Sequence, residues 1–129
     1  MNNTASQDSN IQITVDTAYL TEQSDPEAHR YVFSYHITIT NHNAYPVQLI
    51  SRRWLITDGN EQTQEVNGEG VVGEQPVINP GESYSYTSGT VLPTEVGSMQ
   101  GHYAMMSEAF GEFIAPIPPF TLALPNSLH

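Results

Sequence analysis

Along this chain apolar residues recur at every second position, and no stretch keeps the 3.6-residue rhythm of an amphipathic helix for more than about two turns. The clearest run is Tyr31, Phe33, Tyr35, Ile37 and Ile39, separated by Val32, Ser34, His36 and Thr38. That spacing predicts a strand with one buried and one largely polar face, as in an antiparallel sheet. Its β-branched and aromatic side chains argue against a helix. Ile11, Ile13 and Val15 alternate in the same way with Gln12, Thr14 and Asp16.

Further strands are predicted at Val47–Thr57, around Gln62–Val66, through Tyr84 and Tyr86 towards Leu92, at Met99–Ser107 and at Glu112–Leu124. Turn signals separate them: Asp58-Gly59-Asn60 and Pro80-Gly81, with one short helical turn at Pro93–Gly97. The last strand changes phase. Phe113, Ala115 and Ile117 occupy odd positions, whereas Phe120, Leu122 and Leu124 occupy even ones. The switch falls on Pro118-Pro119, which predicts a bulge, and the missing ladder donors predict a sheet edge. Seven to eight short, mostly antiparallel strands without helices between them point to an all-β sandwich.

The length of 129 residues suits one domain, expected over 10–129, with 1–9 (MNNTASQDS) as a disordered tail. Charge narrows the partners. Fourteen Asp/Glu stand against three Lys+Arg, a formal charge of −11, so nucleic acid and anionic membrane surfaces are excluded as partners. The absence of cysteine removes disulfides, thiolate zinc sites and thiol nucleophiles, and agrees with a reducing, cytoplasmic setting. The N-terminal residues lack the charged and apolar regions of a secretory signal.

Candidate chemistry centres on Gly68-Glu69-Gly70-Val71-Val72-Gly73, a formal GxGxxG. In a dinucleotide-binding fold that motif opens a helix. Here Pro76, Pro80 and Gly81 follow, and a helix cannot form. No Lys or Arg lies from position 54 to 129, while Glu69 and Glu74 flank the loop. The Rossmann reading fails. A glycine-dependent bend between β elements remains, with a backbone anion nest as the second option. Such a nest needs a cation, and Arg52 is the candidate. By alternation it shares a face with Ile50, Trp54 and Ile56, where a guanidinium reaches a carboxylate or a carbonyl, or stacks on the indole. Arg53 points the other way, to solvent. The five histidines show no metal-ligand spacing, and no catalytic set stands out, so neither catalytic residue, metal nor cofactor is expected.

The blocks RRWLITDGN, VNGEGVVGEQPVINPGESYSYTSGTVLPTEVGSMQGHYAM and FIAPIPPFTL, in that order, resemble the ApaG family. The family's Arg-x-Trp falls on Arg52 and Trp54, its glycine loop on Gly68, Gly70 and Gly73, and its Gln-Pro on Gln75 and Pro76. Its Ile-Pro-x-Phe falls on Ile117, Pro118 and Phe120. The resemblance implies an immunoglobulin/fibronectin type III-like sandwich and an association with cobalt resistance and magnesium efflux. It also implies a link to the gene for a diadenosine tetraphosphate hydrolase, and a likeness to domains of larger eukaryotic proteins that look like interaction modules. The expected function is therefore a non-enzymatic module for protein–protein contacts, a monomer or weak homodimer. Its expected surface is Gly68, Gly70, Val71, Val72, Gly73, Gln75 and Pro76, with Arg52. The alternative expectation is binding of pyrophosphate or a phosphorylated nucleotide, with a divalent cation, at the same loop.

Overall fold

A computed structural model describes residues 10–125 of the chain. The expected tail over residues 1–9 lies outside the described residues. The strands are β1 (Ile11–Tyr19), β2 (Tyr31–Asn41), β3 (Val47–Asp58), β4 (Thr63–Glu69), β5 (Val77–Ile78), β6 (Ser83–Leu92), β7 (Val96–Ser107) and β8 (Gly111–Ala123). Two antiparallel sheets form from them, β1-β2-β6 and β4-β3-β7-β8, with the short β5 paired to the start of β3. The result is the β-sandwich of an immunoglobulin/fibronectin type III-like domain.

Alternation sets which side chains meet between the sheets. Tyr31, Phe33, Tyr35, Ile37 and Ile39 are all buried, and they face Trp54, Ile56, Met99, Tyr103, Ile117 and Leu122 of the larger sheet. Trp54 sits at the centre, with the rings of Tyr35, Tyr103 and Phe120 edge-on at 5.5, 6.4 and 5.8 Å. Its buried Nε1 finds no hydrogen-bond partner among the described residues.

The phase change in β8 is a bulge. Met99 pairs Phe120 but Gly101 pairs Ile117, so Pro118 and Pro119 oppose Gln100 alone. A second bulge lies in β3, between Leu49 and Ser51 in the ladder to β7. It puts Val47 and Leu49 into the core before it and Trp54 and Ile56 after it, leaving Ile50 half-buried in the irregularity. Strict alternation missed this, because inserting one residue reverses the phase without any proline or glycine to announce it.

Smaller expectations are corrected too. The strand after the Asp58 turn runs to Glu69, not Val66, so Gly68 belongs to the ladder opposite Arg52 rather than to the loop. Pro93–Gly97 forms no helical turn, since β7 starts at Val96. The short helical segments are 3-10 turns at Thr21–Gln23 and Pro26–Ala28. Among the described residues no helix is long and apolar enough to cross a membrane.

Candidate functional site

At the bulge of β3, the glycine motif and Arg52 come together. Gly70 leaves β4 at φ +62°, and its N–H donates to Ile50 O at 2.8 Å. A Cβ here would stand 2.1 Å from Glu74 O, so only glycine lets the chain close on itself. Val71 and Glu74 then exchange two backbone hydrogen bonds of 2.8 Å around Val72 and Gly73. The two central residues take φ +42° and +81°, the left-handed pair of a tight hairpin turn. No helix follows Gly73, and the bend between β elements is what the structure contains.

The segment behind this hairpin is laced to β3. Gln75 Nε2 donates to Ile50 O at 2.9 Å, Gln48 Nε2 donates to Gln75 O at 3.0 Å, and Leu49 N donates to Pro76 O at 3.0 Å. Gly68, Gly70, Val71, Val72, Gly73, Gln75 and Pro76 thus form one unit on the edge of the larger sheet. Their exposures differ sharply. Val71 is fully buried and joins the core, so its side chain anchors the hairpin and meets no partner directly. Val72 stands at the tip with 59% of its surface exposed.

Arg52 holds the unit from within. Its Nη1 donates to Gly70 O at 2.8 Å and Glu69 O at 3.2 Å. The guanidinium lies against Gly68, where a Cβ would fall 2.7–2.8 Å from three of its atoms. Of the three partners expected, carboxylate, carbonyl or indole, the carbonyl is the one used. The ion pair seen among the described residues belongs instead to exposed Arg53, with Glu65.

Beneath Arg52 lies a feature that spacing could not reveal. Tyr86 of one sheet and Tyr103 of the other join hydroxyls at 2.5 Å in the interior. Burial pushes Tyr86 up to about 12, and burial with the neighbouring Tyr86 hydroxyl pushes Tyr103 up further. The Arg52 charge opposes both shifts. Neither hydroxyl is poised for acid–base work near neutral pH. A groove of about 550 Å³ also opens beside the hairpin strand, lined by Tyr45, Pro46, Val77, Met106 and Ala109 among others. Phe110, 75% exposed, packs against Tyr45 with the rings tilted and their centroids 4.9 Å apart. The groove's residues come from β3, β5 and β7 and from the loops beside them, and only the fold assembles them.

The ApaG domain model matches residues 21–107, more than half of the chain. The chain belongs to the ApaG family. It is 58% identical to Protein ApaG of Thiobacillus denitrificans and 55% identical to that of Azotobacter vinelandii, each over 92% of this chain and 94% of the relative. A crystal structure of an ApaA protein from Bordetella pertussis superposes with a TM-score of 0.88 at 49% identity, covering 91% of this chain and 95% of that one. Membership in the ApaG family accounts for the order of the three sequence blocks.

Proposed function

We propose that the chain is a non-enzymatic binding module whose ligand is another protein, met at the hairpin Val71–Glu74 and the apolar groove beside it. Val72 carries this reading. A β-branched residue at positive φ costs about 1–3 kcal/mol that glycine or asparagine would avoid. Its side chain gains nothing from the core, being mostly exposed. A partner that covers it supplies the missing burial. Val77, 57% exposed, lines the groove, and exposed Phe110 packs against Tyr45 of the same groove, adding apolar surface. The association of the family with cobalt resistance and magnesium efflux enters as part of this proposal, exerted through the partner.

The pyrophosphate alternative draws less support. An anion nest needs converging free amides. Those of Gly70, Val71 and Glu74 are spent on Ile50 and on each other, and Arg52 is spent on carbonyls. Glu69 and Glu74 add repulsion at close range.

The test places a photo-crosslinking residue at Val72 in cells and a control at Thr14, on the opposite outer face. A recurrent adduct at Val72 alone is expected. Purified with its partner, Val72→Asn should lose binding while gaining about 1 kcal/mol of stability from relief of the turn. No adduct at Val72, or shifts at residues 68–76 on titration with pyrophosphate and magnesium, would sink the reading.

A further inference from the structure

We propose that the free edge of β6 accepts an extended, cationic peptide segment of a partner protein as an added strand. This surface is separate from the hairpin, and the inference does not rest on that reading.

Sheet edges expose unpaired backbone groups, and proteins ordinarily defend them. Setting aside the two-residue β5, three of the four edges among the described residues are defended. Pro116, Pro118 and Pro119 interrupt β8, exposed Glu65 and Glu69 charge β4, and β1 lies against β8. The fourth is β6, SYSYTSGTVL, ten residues with no charge and no proline. Among the described residues it pairs with β2 alone.

The ladder fixes which amides look outwards. Asn41 N donates to Glu82 O at the start of the β2–β6 pairing, whereas Leu20 N donates to Val32 O on the opposite side of β2. Odd residues of β2 therefore turn their backbone to β6, and even ones turn to β1. Through the register, Tyr84, Tyr86, Ser88, Thr90 and Leu92 exchange bonds with β2. Ser83, Ser85, Thr87, Gly89 and Val91 direct N–H and C=O to the free edge. The close hydroxyl pairs Thr38–Ser85 (3.0 Å) and Thr40–Ser83 (2.7 Å) agree, since side chains approach most at such non-bonded pairs.

Charge selects the occupant. At the Leu92 end, a cleft of about 250 Å³ separates β6 from β4, with Ile56 and Val91 as apolar contacts and Asp58 in its wall. Glu61 bonds to Asp58 there through its backbone, and Glu95 follows close in sequence. Glu82 stands at the other end. Two copies joined antiparallel through β6 would set Glu82 of each against the acids at the far end of the other, on chains of −11 apiece. A strand with basic residues at its ends and small β-branched residues between them finds attraction where a second copy meets repulsion.

The probe is a short peptide of alternating threonine and valine flanked by lysines, with a glutamate-flanked twin, added to the whole protein. Amide hydrogen exchange at Thr87 and Gly89 should slow by about tenfold near millimolar lysine peptide, less in high salt, and not with the twin. Thr87→Pro removes an outward N–H and should abolish the slowing. Should that variant unfold, Ser85→Lys on the exposed face should weaken it with the fold intact. Val72→Asn should leave it unchanged. No slowing, equal slowing by both peptides, or protection that grows with protein concentration in the absence of peptide would each overturn the proposal, the last in favour of self-pairing.

Discussion

Arg52 and Arg53 are neighbours on one strand, yet they live in different solvents. Arg52 points between the sheets, half-buried, and spends its guanidinium on the carbonyls of Glu69 and Gly70. Arg53 points outwards and pairs with the carboxylate of Glu65, with about half of each side chain exposed. The first cation is neutralised by backbone dipoles and the second by a formal charge. That difference assigns them opposite roles. A carbonyl has no alternative donor once the loop has closed around it, so Arg52 is a structural clamp. A surface carboxylate always has water, so Arg53 is dispensable.

The contrast breaks most visibly at Arg52. Arg52→Ala should cost about 2–4 kcal/mol, because charged hydrogen bonds are lost and the carbonyl of buried Gly70 is left in a space with no replacement donor. Arg52→Lys should recover little, since an ammonium cannot lie flat on Gly68 while reaching both oxygens. Urea unfolding midpoints measure both. A loss below about 1 kcal/mol would return Arg52 to the pool of ligand-binding groups.

How much of this was legible beforehand follows from the range of each interaction. Period-two patterning in Tyr31–Ile39 and the prolines at 118 and 119 speak through neighbours in sequence, and both were read correctly. The glycine motif told its own story through the prolines after it. What escaped was set across sheets or by single insertions. The bulge at Ile50 carries no local signature, so alternation groups Ile50 with buried Trp54 and Ile56 although it is only half-buried. Val71 and Val72 look alike in a sequence. Only the closing bonds of the hairpin decide that one is core and the other is tip. The Tyr86–Tyr103 bond spans the sandwich, and the groove at Tyr45 draws on three strands and the loops beside them. No spacing rule reaches either.

The inner side of the comparison can be sharpened by pH. The Tyr86 hydroxyl ionises at about 12 in the fold against 10.0 in the free side chain, chiefly through burial, and Tyr103 moves in the same direction. Both are neutral and fully stabilising below pH 10. As pH rises from there, the unfolded chain releases protons that the native state retains, so stability falls, by about 1.4 kcal/mol per pH unit for each tyrosine. Chemical denaturation between pH 8 and about 11.5 should show this decline. Tyr103→Phe should shallow it, at a cost of about 1 kcal/mol at neutral pH for the orphaned Tyr86 hydroxyl. An unchanged slope in that variant would mean that other groups govern the alkaline limb.

The outer side should barely respond. Arg53→Ala should change stability by less than about 0.5 kcal/mol, because an exposed pair gains little over hydration and orders two long side chains. The charge reversal Arg53→Glu is more informative, as it sets like charges on facing strands of a chain already at −11. Its penalty should shrink as salt rises from about 0.05 to 1 M, where screening shortens to about 3 Å. Arg52→Ala should keep most of its cost over the same range, since its partners are backbone dipoles, that of buried Gly70 the shorter bond, rather than mobile charges. If both arginines responded to salt alike, the clamp and the surface pair would be one kind of interaction, and burial would not be what separates them.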